Sequence, residues 1–181
     1  MEKVIILLAN GFEEIEALAP LDILRRLNYE VELVSMNESL DVKSSHNVNF
    51  VADKQFYDEC YDAVGVIIPG GMPGATNLRD DIRVIDLIKK FNQEKKMIAA
   101  ICAGPIVLGK AGILNTENVT SYPGFEAELN AKEYLREDVV ISNHIITSRG
   151  PATAFKFAFE IANYLGLETK NLLKGMLFEW N

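Results

Sequence analysis

Met97-Ile98-Ala99-Ala100-Ile101-Cys102-Ala103-Gly104-Pro105-Ile106-Val107-Leu108 is the stretch that decides the fold class. Its first five residues form a short, uninterrupted apolar run, the pattern of a strand buried on both faces. Pro105 suits the first turn of a helix, where its missing N–H costs nothing. Cys102 therefore falls in a sharp strand-to-helix turn between the small residues Ala100 and Gly104. That is the thiol counterpart of the Gly-x-Ser-x-Gly elbow, which raises a nucleophile above an α/β sheet. A helix N-terminus behind the sulfur also favours thiolate over thiol. The competing reading is an inert buried cysteine acting as a small hydrophobe.

Outward from this turn, strands and helices alternate. Residues 3–9 read as a continuous apolar strand, and 14–27 as a helix with Ile15, Leu18, Ala19, Ile23, Leu24 and Leu27 at helical spacing. Pro20 should kink that helix. Strands are expected at 30–36 and 63–68, a hairpin over 42–51, and a helix over 82–91. The helix after Cys102 stops at Gly109 and Gly112. Short strands follow at 119–122, 139–142 and 145–148, the last two pairing across Asn143-His144. Gly150-Pro151 opens a helix with the stripe Phe155, Ala158, Phe159, Ala162 and Leu165, stopped by Gly166, and a last helix covers 169–178. Such alternation predicts one α/β domain over 1–181, with a mostly parallel sheet and helices on both faces.

Composition narrows the function classes. The 181 residues are 49% hydrophobic and 24% charged, as in ordinary globular domains. A net charge of −8, no basic run and a single Trp argue against nucleic-acid binding. The first apolar run is too short to span a membrane and is followed at once by Asn10-Gly11-Phe12-Glu13-Glu14, so neither membrane insertion nor a signal peptide is expected. Cys60 and Cys102 are unpaired by any visible pattern, which suits a reducing, cytoplasmic setting. Cys60 itself reads as a satellite-core or surface residue.

Chemistry concentrates in four loops expected at the carboxyl ends of strands, where open α/β sheets bind ligands. They are residues 10–16, Pro69-Gly70-Gly71-Met72-Pro73-Gly74, the Cys102 turn, and Thr147-Ser148-Arg149-Gly150-Pro151. The glycine loop has neither a dinucleotide fingerprint nor a phosphate-binding Lys-Ser/Thr ending, so no cofactor is called for. It is either a tight turn or a backbone N–H donor to an oxyanion near Cys102. Glu16 is either a solvated helix-start acid or, if it reaches Cys102, a proton shuttle. His46 and His144 are both expected to be exposed in turns. Arg149 can bind an anion or pair with a carboxylate. Two isolated His and two isolated Cys give no metal-ligand spacing.

Glu16, Gly70-Gly71, residues 99–105 around Cys102, and Thr147-Ser148-Arg149-Gly150-Pro151 together resemble the ThiJ/PfpI superfamily, in the branch of the parkinsonism-associated protein deglycase and its bacterial relatives. The likeness runs in order from Val4 to the region of Leu165. It implies a flavodoxin-like three-layer sandwich, of the class I glutamine amidotransferase-like kind, and a homodimer. It further implies a low-pKa nucleophile at Cys102, a protonated carboxyl at Glu16 beside it, and an oxyanion pocket from the backbone of Gly71 and Ala103. Gly70, Tyr122, Arg149, Gly150 and Pro151 would support them. The implied activity is a cofactor-independent glyoxalase or deglycase acting on methylglyoxal, glyoxal or glycated adducts. The alternative is a redox-sensing chaperone that works through oxidation of Cys102. Two positions depart from the pattern. Ala103 stands where the protease-like branch has His, so peptidase activity is not expected. Tyr122 stands where the deglycase branch often has His, and a phenol is a poor base near neutral pH.

Overall fold

The computed structural model describes residues 2–178. In chain order its elements are β1 (Lys3–Leu8), α1 (Glu14–Arg26), β2 (Glu30–Ser35), β3 (Asp41–Lys43), β4 (Asn49–Val51), β5 (Lys54–Gln55), β6 (Gly65–Ile68), α2 (Gly74–Asp80), α3 (Ile82–Gln93), β7 (Met97–Ile101), α4 (Pro105–Ala111), β8 (Asn118–Val119), α5 (Glu126–Leu129), β9 (Glu133–Tyr134), β10 (Val139–Ser142), β11 (Ile145–Ser148), α6 (Ala154–Tyr164) and α7 (Lys170–Gly175). Met1 and residues 179–181 of the expected domain lie outside the described residues.

Seven strands form one sheet in the order β10-β11-β7-β6-β1-β2-β5. Every neighbouring pair is parallel except the β10–β11 hairpin. Side chains alternate across the sheet with period two. Ile5, Leu7, Val66, Ile68, Ile98 and Ala100 face one layer, packed against Leu78, Ile88, Phe91 and Ile106 of α2, α3 and α4. Val4, Ile6, Leu8, Ile67, Ala99 and Ile101 face the other, packed against Ile23, Leu24, Phe157, Phe159 and Ile161 of α1 and α6. Burial on both faces explains why these strands read as unbroken apolar runs. The result is a flavodoxin-like three-layer α/β sandwich.

Several local expectations are corrected. The strand expected at 119–122 is only Asn118–Val119, and it pairs with β9 in a small separate sheet. The helix at Gly150-Pro151 begins as a 3₁₀ turn, Pro151–Thr153, before α6. Ile15, Phe155 and Ile82 were assigned to apolar core stripes but are exposed. Cys60 and His144 are buried. α2 and α5 carried no apolar period long enough to show in the sequence.

Chain order places the site. From β1 the chain steps to β2 on one side and later enters β6 on the other, so β1 and β6 border a topological switch point. The adjacent strands β11, β7, β6 and β1 project all four loops from one edge. The β1 and β6 loops meet backbone against backbone. Gly71 has φ +84, and a Cβ there would collide with the Glu13 nitrogen and the Gly11 oxygen. Gly112 also has positive φ, +73, but has open space around it. Urea denaturation is expected to show a loss of about 3 kcal/mol or more for Gly71→Ala. Gly112→Ala should lose only about 1 kcal/mol, from backbone strain alone. Equal losses would mean that the two loops are not pressed together.

Candidate active site

Cys102 sits at the turn between β7 and α4 with φ +63, a left-handed conformation that non-glycine residues rarely adopt. Three backbone hydrogen bonds hold it there. The Cys102 N–H donates to the Ser148 carbonyl at 3.0 Å, the Gly104 N–H to Ile101 at 2.8 Å, and the Tyr122 N–H to the Cys102 carbonyl at 2.9 Å. Gly104 lets the elbow close, since a Cβ there would stand 2.6 Å from the Ile68 oxygen. The thiol is half-buried and unpaired.

Glu16 approaches from the first turn of α1 and is fully buried. Its position is built from the helix start. Glu13 caps α1, its carboxylate accepting the Glu16 N–H at 2.9 Å, while the Glu13 N–H donates to the Gly70 carbonyl at 3.0 Å. The Gly70 N–H in turn donates to Glu16 Oε2 at 2.7 Å. Oε1 is buried with no partner at hydrogen-bonding geometry. The carboxyl lies against the Cys102 thiol and also feels the charge of Glu13. Gly70 permits the meeting, because a Cβ there would stand 2.6 Å from Glu16 Oε2 and 2.7 Å from Cys102 Cβ.

Electrostatics follow from this packing. Burial pushes the Glu16 carboxyl up to about 7, against the opposing pull of its bonds to Cys102 and the Gly70 N–H. Burial, then the Glu16 charge and its hydrogen bond, push the Cys102 thiol up to about 12. The Ala103 and Gly71 N–H groups point at the sulfur and pull the other way. A low-pKa thiol, as the sequence led us to expect, is thus not a property of Cys102 alone. While Glu16 is ionised its charge opposes a thiolate; once protonated, the carboxyl has no charge and can donate to one. The ionisation of each group therefore opposes that of the other.

The structure therefore brings together Glu16, Gly70, Gly71, Cys102 and Ala103. Tyr122, Arg149, Gly150 and Pro151 line an adjacent cleft of about 330 Å³ with Asp138 and Thr153, with Tyr122 tied to the elbow through its backbone. Neither histidine joins the site. His46 bonds Glu14 through Nδ1 at 2.7 Å, which raises the pKa of the imidazole. His144 precedes β11 at the opposite edge of the sheet, where it bonds Asn92. At about 3.3 Å per residue, that is roughly 13 Å from the elbow. Among the described residues one group, Glu13, Glu14 and His46, has potential metal-ligand atoms within 4.8 Å of one another. Glu13 was overlooked from the sequence, although an acidic residue just before a helix is a capping signal.

Residues 2–164 match the model of the DJ-1/PfpI family. The chain belongs to the DJ-1/PfpI family. It is 34% identical to protein dj-1beta of Drosophila melanogaster over 99% of both chains. It is 31% identical to the glutathione-independent glyoxalase DJ-1 of Schizosaccharomyces pombe over 94% of both. Among solved structures, oxidised Toxoplasma gondii DJ-1 superposes with a TM-score of 0.92 at 34% identity, covering 99% of this chain and all of the other. Within this DJ-1/PfpI chain, Ala103 offers a backbone N–H to the Cys102 sulfur, and Tyr122 is half exposed.

The raised Glu16 pKa makes stability fall as pH rises. The unfolded chain releases this proton near 4.5 and the folded chain near 7, so the favourable contribution is complete below 4.5 and lost through 7. Glu16→Gln, neutral at every pH and still able to accept from Gly70, is expected to gain on wild type by about 3 kcal/mol between pH 4.5 and 8. Denaturation across that range measures the difference. A constant offset would show that the carboxyl titrates as in the unfolded chain.

Proposed function

We propose that this chain is a cofactor-independent glyoxalase, acting on methylglyoxal, glyoxal or the adducts they form on amines and thiols. The observation that carries the proposal is the buried Glu16 carboxyl against Cys102, with one oxygen anchored by Gly70 and the other unpartnered. With Glu16 protonated, the thiolate adds to the aldehyde carbon to form a hemithioacetal. The Gly71 and Ala103 N–H groups receive the developing oxyanion. Glu16 protonates that oxygen and becomes a carboxylate beside the former aldehyde C–H. It then takes this hydrogen as a proton and returns it to the neighbouring ketone carbon, while the hydroxyl proton leaves the first oxygen and passes, through the same carboxyl, to the ketone oxygen. The aldehyde carbon is oxidised to a thioester and the ketone carbon reduced to an alcohol, with no external electrons. Water cleaves the thioester, releasing a 2-hydroxy acid and the thiol. An amine or thiol adduct enters the same sequence after displacement at the same carbon.

A second reading is favoured by the likeness to oxidised Toxoplasma DJ-1. Two peroxide molecules would each transfer one oxygen to the Cys102 thiolate and leave as water, giving a sulfinate to which protonated Glu16 donates. The chain would then act as an oxidative-stress sensor or chaperone without turnover. A homodimer and a cytoplasmic setting belong to both readings. The exposed Ile15 and Phe155, which border a groove of about 350 Å³ with Leu18 and Ala19, supply apolar surface suited to a second copy. Among the described residues no helix is long and apolar enough to cross a membrane.

Lactate formation from methylglyoxal tests the first reading. Cys102→Ser is expected to fall to background and Glu16→Ala to lose about 10²–10⁴ in kcat. Equal rates in all three proteins would remove the mechanism. Mass spectrometry after mild peroxide tests the second. A gain of two oxygen atoms at Cys102, in a wild-type protein that turns over no aldehyde, would make sensing the function.

A further inference from the structure

The cleft beside the elbow is lined by Arg149, whose side chain has no hydrogen bond or ion pair among the described residues. Arg25, Arg26, Arg79 and Arg83 each hold a carboxylate. The half-buried guanidinium of Arg149 holds none among the described residues, although its backbone N–H is tied to the Asp138 carbonyl at 3.2 Å. Asp138, the acidic side chain lining the same cleft, is engaged by Lys156 at 3.2 Å. One positive charge is therefore in surplus at this rim, on a chain whose net charge is −8.

Placement links the cleft to the sulfur. Ser148 pairs in register with Ile101, and its carbonyl accepts the Cys102 N–H, so Arg149 begins where the elbow begins. Tyr122, bonded through its N–H to the Cys102 carbonyl, also lines the cleft. Its ring rests over Gly150, where a Cβ would stand 3.3 Å from Cδ2. The Ser148 hydroxyl bonds both the Asp138 carbonyl at 2.7 Å and the Thr153 hydroxyl at 2.6 Å, which braces the turn carrying Arg149.

We propose that Arg149 is a specificity residue that receives a substrate carboxylate while the carbonyl carbon of the same molecule reacts at Cys102. This rests on the aldehyde-processing function above and names its substrate class: α-oxoaldehydes or their adducts that carry a carboxylate a few bonds from the reacting carbon. A guanidinium fork suits a planar carboxylate better than an ammonium does. The cleft, about 330 Å³, is lined in part by Tyr122, which is 49% exposed.

The test compares 4,5-dioxopentanoate with its uncharged methyl ester. Wild type is expected to favour the acid in kcat/KM. In Arg149→Met that preference should shrink by about ten- to a hundredfold, the worth of a charge-assisted hydrogen bond. Arg149→Lys should fall between. An acid-to-ester ratio unchanged by Arg149→Met overturns the proposal, as does turnover of methylglyoxal with neither longer compound accepted. A second readout is independent of turnover: the rate of Cys102 alkylation by iodoacetate relative to iodoacetamide. If wild type turns over no aldehyde, the glyoxalase function fails. The alkylation ratio then decides the anion site alone, a fall in Arg149→Met supporting it and an unchanged ratio overturning it.

Discussion

One hydrogen bond organises this site: the Gly70 N–H donating to Glu16 Oε2 at 2.7 Å inside a dry interior. A buried carboxyl without a partner is expensive, and this bond anchors one of its oxygens. It also ties the loop after β6 to the first turn of α1, while Glu13 ties the same two segments in the opposite sense. The second oxygen is left facing chemistry and not structure. Everything else about the site follows from holding that carboxyl still, with no side chain at Gly70 to separate it from the sulfur.

The pairing changes what the cysteine is. An elbow thiol at a helix start invites description as an activated nucleophile in its own right. Here burial and the adjacent acid oppose ionisation, and only the backbone donors of Gly71 and Ala103 favour it. Reactivity then belongs to the pair, in the protonation state where the carboxyl keeps the proton and the sulfur carries the charge. That state suits addition to a carbonyl, because the acid that stabilised the thiolate is then positioned to protonate the new alkoxide. It suits a sulfinate as well, so the same two residues are compatible with both proposed readings.

Much of this was legible in the chain itself. Unbroken apolar runs at β1, β6 and β7, separated by helical periods, specify a sheet buried on both faces. The small-x-Cys-x-Gly turn and Pro105 locate the elbow. Periodicity was a weaker guide at surfaces meant for something else. Ile15 and Phe155 keep helical spacing yet are exposed on the face of α1 and α6 that borders a groove, because an apolar stripe does not say what covers it. His144 stood in a predicted turn, but the turn folds onto α3 and buries the ring against Asn92.

The sequence by itself determined the layered fold, the elbow thiol and the candidate loops, since all of these depend on local spacing and on burial of apolar side chains. Which loops touch was decided only in three dimensions. Strand order places β11, β7, β6 and β1 side by side, and this brings Glu16 to a cysteine eighty-six positions away in the chain. The same order left Arg149 without a carboxylate among the described residues and separated both histidines from the sulfur. The mutual opposition of the Glu16 and Cys102 ionisations is likewise a tertiary property, because it depends on their buried contact, which no spacing along the chain encodes.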